Sequence, residues 1–501
     1  MINLRNLFCA AILIGTFISC SNSIHKNVNT SAHKKYNVLF VIVDDLRPEL
    51  GCYGKTNIFS PEIDKFSKSS LIFNKAYCQQ AVCSPSRTSV LTGLRPDSTR
   101  VYDLETHFRT TIPNVVTLPQ YFKQNGYYTI GLGKIFHQDF GFSPIGLEDA
   151  PSWSVPVWNP DVNSGRGYVL DENVEIAKYN NGRGPAIEMA DVPDNKYKDG
   201  IIADSAVQIL RKLKDQPFFL AVGFHKPHLP FTAPKKYWNL YNRNNIIIPD
   251  TSLPQNAPKF ALSDFGELRA YDGIPKKGLL SQNQAAELIH GYYASVSYVD
   301  AQFGKVMNEL KKLGLDKNTI IVFWGDHGWK LGEYNNWCKH DNFEIDTRSP
   351  LIVSTPQMRA KGKTTNSLVE FIDIYPTICE EAGLPLPAHL QGKSFSSLLN
   401  SPDKKFKAAA LSQYPRNDIM GYSLRTDRYR FTSWQRNSSS AQEVAVELYD
   451  HQKDPDEKKN VASEAEYTNT IVSLRKILSK IRGENVTKKS YRLNVSNGVN
   501  N

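Results

Sequence analysis

The chain is 501 residues long, 41% hydrophobic and 22% charged, with a formal net charge of +10. These values fit an ordinary soluble globular protein built as one large domain with a smaller appendage, rather than several equal domains. Lys and Arg are scattered and no aromatic-basic module stands out, which excludes a nucleic-acid arm; the excess positive charge is mostly solvated surface that would also suit an anionic glycan.

The N-terminus reads as a targeting segment. Arg5 supplies positive charge, and the apolar stretch Leu7 to Ile18 is too short to span a bilayer as a mature anchor. It ends at Phe17-Ile18-Ser19-Cys20, which resembles a bacterial lipobox with Cys20 as the lipidated residue. Phe17 stands where Leu is usual, so plain secretion with cleavage nearby stays open. Both routes export the protein, to the periplasm or cell surface, and the one membrane attachment expected is an N-terminal lipid anchor. Beyond Cys9 and Cys20, the cysteines are Cys52, Cys78, Cys83, Cys338 and Cys379, an odd set for an oxidising compartment.

Residues Asn37 to Val43 form a continuous β-branched run, the pattern of a strand buried on both faces of a parallel sheet. Trp153 to Asn195, rich in Pro, Asn, Gly and aromatics, reads as a long excursion over the sheet edge, either a plain surface loop or one that contacts substrate. Helical spacing over Ile201 to Leu213 precedes an apolar strand, Phe218 to Phe224. The same pairing recurs in Tyr298 to Leu313 and Thr319 to Trp324. Alternation of this kind predicts an α/β fold with a mixed, mostly parallel sheet flanked by helices. Past Leu399 the texture changes to short antiparallel strands over Ala408 to Gln413, Met420 to Arg425 and Tyr429 to Trp434. After Glu447 to Asp450 comes a helix near Tyr467 to Ile481, completing a small C-terminal α+β subdomain. The expected boundaries are a signal peptide 1–20, a polar linker 21–36, a catalytic domain 37–399, the C-terminal subdomain 400–488 and a polar tail 489–501.

Three strands end directly in polar chemistry: Asp44-Asp45, His225-Lys226-Pro227-His228 and Asp326-His327. In parallel sheets the ligand lies beyond those carboxyl ends. Carboxylates predominate, so Asp44, Asp45, Asp326 and His327 form a candidate site for a hard cation, Ca²⁺ first and Mg²⁺ second, with zinc less suited. Further cations stand at Arg87, at Lys134 and His137, and at Lys339 and His340. Together they would surround a group whose oxygens stay anionic while charge builds on a leaving atom.

Cys83-Ser84-Pro85-Ser86-Arg87, with Leu91-Thr92-Gly93 downstream, resembles the Cys-x-Pro-x-Arg signature of type I sulfatases in the alkaline-phosphatase-like superfamily. Val43 to Gly54, Gly133 to His137, Val222 to Phe231, Gly325 to Glu333, Trp337 to Phe343 and Ser412 to Arg416 extend the likeness, and within the superfamily the chain resembles the iduronate-2-sulfatase branch. The resemblance implies that a formylglycine-generating enzyme oxidises Cys83 to formylglycine (3-oxoalanine). As a hydrated aldehyde, that residue offers one hydroxyl to attack sulfur and a second whose deprotonation releases sulfate by C–O cleavage. It also implies metal ligation by Asp44, Asp45, residue 83, Asp326 and His327. Arg87 and Lys134 would stabilise the formylglycine and His137 would assist its collapse. His228 and Lys339 would hold the sulfate and protonate the departing sugar oxygen, with His225, Lys226 and His340 as substrate-contacting neighbours. Many relatives carry Asn at the position of His327, whereas the resemblance to the iduronate-2-sulfatase branch implies His there, as this chain has. The implied substrate is a sulfated oligosaccharide or polysaccharide: a sulfated uronate of a glycosaminoglycan, or an algal polysaccharide such as ulvan. Two rivals are a phosphohydrolase of the same superfamily and a non-catalytic glycan-binding lipoprotein.

Overall fold

The computed structural model describes residues 35–137, 148–160, 166–437 and 442–483. The leader with Cys20, most of the polar linker and the polar tail lie outside them. The central sheet has seven strands: β1 (Asn37–Val43), β2 (Leu71–Phe73), β3 (Tyr128–Gly133), β4 (Phe218–Phe224), β5 (Thr319–Gly325), β6 (Leu351–Ser354) and β7 (Lys363–Thr365). Their spatial order is β7-β2-β6-β5-β1-β4-β3. The block β5-β1-β4-β3 is parallel throughout, whereas β6 runs antiparallel to both its neighbours. The sheet is therefore mixed and mostly parallel.

Burial of both faces explains why β1 is apolar at every position after Asn37. Leu39, Val41 and Val43 enter the core on one face, and Val38, Phe40 and Ile42 the core on the other. The first face is covered by the helices Lys198–Leu213 and Gln282–Lys312, through Ile202, Ala206 and Leu210 and through Leu288, Tyr292 and Val296. The helix Cys83–Thr92 covers the second with Val90 and Leu91. The helix expected over Tyr298 to Leu313 starts sixteen residues earlier, where Ser281 and Gln284 form a capping box.

The excursion Trp153 to Asn195 is more ordered than its composition predicts. Trp158 bridges to Leu132 on the edge strand β3, Asp171–Tyr179 is helical, and Ile187–Ala190 pairs in parallel with Phe231–Pro234. The helix eludes a periodicity reading because only Asn173 and Ala177 of it are buried. Downstream, Ala410–Arg416, Ile419–Arg425, Tyr429–Arg436 and Glu443–Asp450 form a four-stranded antiparallel sheet. The helix Thr468–Arg482 packs on it with Ile471, Leu474 and Leu478. Among the described residues all five cysteines are free, and no helix is long and apolar enough to cross a membrane.

Candidate active site

The parallel register brings four strand ends to one edge. Val43 pairs with both Gly325 and Phe224, and Gly133 pairs with Gly223, so Asp44-Asp45, Asp326-His327, His225 and Lys134 emerge side by side. Gly223 permits this convergence: a Cβ there would lie 1.9 Å from the Lys134 carbonyl oxygen. Asp45 adopts φ +59°, a left-handed conformation that Asp tolerates better than bulkier residues. Its N–H donates to Asp326 Oδ1 at 2.9 Å.

Cys83 opens the helix Cys83–Thr92 and is buried against this edge. Its Sγ lies 3.4 Å from His327 Nε2 and 3.9 Å from Asp45 Oδ1. Burial and the charge of Asp44 push the thiol well above its ordinary pKa despite Lys134 and Lys339, so it stays protonated and is a poor nucleophile as cysteine. One helical turn on, Arg87 is fully enclosed. It donates to Asp326 Oδ2 (2.9 Å), Asp44 Oδ1 (2.8 Å) and the carbonyls of Lys134 (2.5 Å) and Ile135 (3.2 Å). The guanidinium thus fastens two strand ends and the Lys134 loop to the nucleophile helix.

Lys134 Nζ donates to the other oxygen of Asp44 at 2.6 Å. Burial opposes ionisation of Asp44, but Lys134 and Arg87 outweigh it and hold this carboxyl well below the usual range. Lys339 Nζ reaches both oxygens of Asp45, at 3.0 and 2.9 Å, and lies 4.8 Å above the Trp329 ring. His228 Nε2 is 3.8 Å from Asp45 Oδ2. His137 lies half-buried nearby, and its desolvation together with Lys134 depresses its pKa, favouring the neutral imidazole that can accept a proton.

The donor set fits a hard cation. Atoms of Asp45, Cys83, Asp326 and His327 lie within 4.8 Å of one another, as do those of Asp44, Asp45, Cys83 and His228. His327 Nδ1 stands 2.9 Å from the Gly328 carbonyl, which can only accept, so Nδ1 carries the proton. In the neutral ring Nε2 then turns a lone pair toward Asp45 Oδ1, 3.3 Å away, an arrangement that a cation relieves. A third group, Glu344, His451 and Glu457, is ion-paired with Arg425 and Arg430 instead.

The remaining expected residues lie at different depths. His225 Nε2 is 3.2 Å from Asn159 Oδ1, and the His225 and Lys226 N–H groups both donate to Asp199 at 2.8 Å. Lys226 Nζ donates to the carbonyls of His228 (3.0 Å) and Pro230 (2.5 Å) and so braces the His228 loop, while burial brings its pKa down to about 8. His340 Nδ1 is 2.7 Å from the Tyr414 hydroxyl, and Arg416 donates to the His340 carbonyl at 2.6 Å. The C-terminal sheet therefore supports the Lys339 loop. Tyr414 lies within the Ser412 to Arg416 segment, where nothing in the sequence marks it for this contact, and Glu267 is a site residue that the sequence does not reveal. No motif surrounds Glu267, yet its carboxylate touches His228 and Lys339.

Residues 36–384 match the family described as sulfatase, and residues 332–484 match the N-sulphoglucosamine sulphohydrolase C-terminal family. The chain belongs to the sulfatase family. It is a sulfuric ester hydrolase of the alkaline-phosphatase-like superfamily. Iduronate 2-sulfatase of Mus musculus is 36% identical over 93% of this chain and 97% of its own length. The sulfatase fold is shared with a solved structure holding its substrate D-glucosamine-2-N,6-O-disulfate (TM-score 0.72, 21% identity, covering 90% of this chain and 98% of that one). It is shared too with a phosphonate monoester hydrolase from Silicibacter pomeroyi (TM-score 0.73, 20% identity, covering 90% and 95%).

Proposed function

We propose that this sulfatase hydrolyses sulfate esters on oligosaccharides derived from sulfated polysaccharides, with formylglycine made from Cys83 as nucleophile and Ca²⁺, or Mg²⁺, bound beside it. The observation that carries the reading is the packing of Cys83 at a helix N-terminus against the Asp45, Asp326 and His327 donors. Asp44, Asp45, residue 83, Asp326 and His327 would hold the cation, which supplies Lewis-acid polarisation of a sulfate oxygen and lowers the pKa of a neighbouring hydroxyl. Formylglycine supplies a hydrated aldehyde, able to attack sulfur and afterwards to release sulfate without a second attack there.

The chain's own residues carry the rest. Arg87 and Lys134 keep Asp44 ionised and its carboxylate directed at the site. His137, neutral, accepts the proton whose loss precedes sulfate release. Lys339 and His228 face the sulfuryl oxygens and provide the proton for the leaving sugar oxygen, worth about 10²- to 10⁴-fold in such reactions. The likeness to an iduronate 2-sulfatase over nearly the whole chain supports a sulfated uronate as substrate. An algal polysaccharide containing iduronate, such as ulvan, offers the same chemistry. Conversion of Cys83 requires a formylglycine-generating enzyme, and the leader reading adds export with Cys20 acylated, so the catalytic chain would work at the cell surface or in the periplasm.

Sulfate release from a panel of sulfated glycosaminoglycan disaccharides and ulvan oligosaccharides should reveal one preferred linkage. Turnover confined to phosphate esters would overturn the reading. Chelation should abolish that activity and lower the unfolding temperature, with Ca²⁺ restoring both, because a ligand bound only by the folded chain stabilises it by about 3 kcal/mol at a hundredfold excess over Kd. Activity and stability that are both indifferent to chelator would remove the metal from the account.

A further inference from the structure

Glu267 lies in the short helix Gly266–Arg269, entered through Phe265 at φ +44°. A left-handed conformation is costly for so bulky a residue and persists only where its surroundings fix it. Phe265 is buried, and the Arg269 guanidinium stands 3.8 Å over its ring. The strained entry presents the Glu267 carboxylate to three cation-forming side chains: His228 Nε2 at 3.1 Å, Lys339 Nζ at 3.0 Å and His340 Nε2 at 3.6 Å. The other His228 nitrogen is already held, 2.5 Å from the Leu229 carbonyl oxygen, so the Glu267 carboxylate fixes the ring through its second nitrogen, Nε2. Lys339 is held equally firmly, between Asp45 on the metal side and Glu267 on the far side. With its side chain 20% exposed, Glu267 sits at the rim of the site rather than in the core.

We propose that Glu267 is a positioning residue for the departure half of sulfate-ester cleavage, holding His228 and Lys339 side by side at the place the leaving oxygen would take. The inference rests on the function proposed above and adds a residue to it. In the step concerned, the nucleophile oxygen bonds to sulfur as the bond from sulfur to the sugar oxygen breaks. The electron pair stays on the sugar oxygen, which takes a proton from the His228–Lys339 pair. Glu267 itself neither gives a proton nor forms a bond. A carboxylate that only stabilised the fold would have no influence on which leaving group suffers when it is removed.

Leaving-group dependence therefore tests the proposal. A sugar alcohol needs that proton, whereas the phenol of 4-nitrocatechol sulfate departs without it. Glu267→Gln should lower kcat/KM by about 10²-fold on the preferred sugar sulfate and by less than about 3-fold on the aryl sulfate. Glu267→Asp, which keeps the charge but draws it back by one methylene, should show the same selectivity to a smaller degree. Equal losses on both esters, or no loss on either, would overturn the positioning role. Should the Gln variant fail to fold, a non-selective loss in the Asp variant overturns it as well. Wild-type protein cleaving neither ester would instead bring down the proposed function, and this inference with it.

Discussion

Cys83→Ala and Cys83→Ser are expected to release sulfate at least about 10⁴-fold more slowly than the parent chain, the size of loss that follows removal of a catalytic nucleophile. Both variants should fold. The Cys83 side chain makes only the long approaches to His327 and Asp45, and the helix it opens is anchored independently by Arg87 and by Ser86, whose hydroxyl donates to the Asp326 carbonyl at 2.5 Å. The unfolding temperature should accordingly stay within about 3 °C of the parent value. Serine at this position has a single hydroxyl on carbon and cannot be oxidised to the aldehyde by a route that starts from a thiol. Turnover preserved in the Ala variant would exclude residue 83 as the nucleophile, and full turnover in the Ser variant would exclude the need for an aldehyde there.

The second large effect concerns Arg87, which is enclosed between Asp44 and Asp326 with side-chain exposure of 0%, 1% and 0% respectively. Arg87→Met should cost about 3–5 kcal/mol of stability, because breaking a buried ion pair strands the partner charge. Here Asp326 loses its buried cationic partner, Asp44 keeps only Lys134, and two carbonyls lose a donor. Arg87→Lys keeps the charge but lacks the planar fork, so it should recover part of the stability while remaining slow. Denaturant unfolding checks the first statement and sulfate release the second. The sign of the pH dependence follows from Asp44, whose folded pKa is depressed. Its contribution is complete above the unfolded carboxylate value of about 4 and is lost as pH falls through the depressed folded value. Arg87→Met should therefore flatten the acid limb of the stability profile. An unchanged midpoint for that variant would mean the network does not hold the strand ends.

Much of this site is legible in the chain because its parts are local. Val38 to Val43 is buried on both faces and so is apolar without interruption, and the polarity of Asp44-Asp45 directly after it marks a strand end. The same logic exposes Asp326-His327 after Thr319–Gly325, and the spacing of Cys83 and Arg87 follows one helical turn. What the sequence hides depends on long-range geometry. Strand β6 enters the sheet antiparallel between β5 and β2, a choice that its four residues Leu351–Ser354 do not announce. Glu267 becomes a neighbour of Lys339 only because a strained turn at Phe265 directs it there, and Tyr414 reaches His340 across the boundary between two sheets. In the excursion after Trp153, short elements punctuated by Pro and Gly bury too few side chains to leave a periodic trace.

The central claim is that residue 83 acts as formylglycine, and peptide mass spectrometry on protein isolated from its native host tests it most directly. The peptide containing residues 83–87 should carry formylglycine at position 83 in sulfate-releasing protein. An intact Cys83 thiol in fully active protein would contradict it.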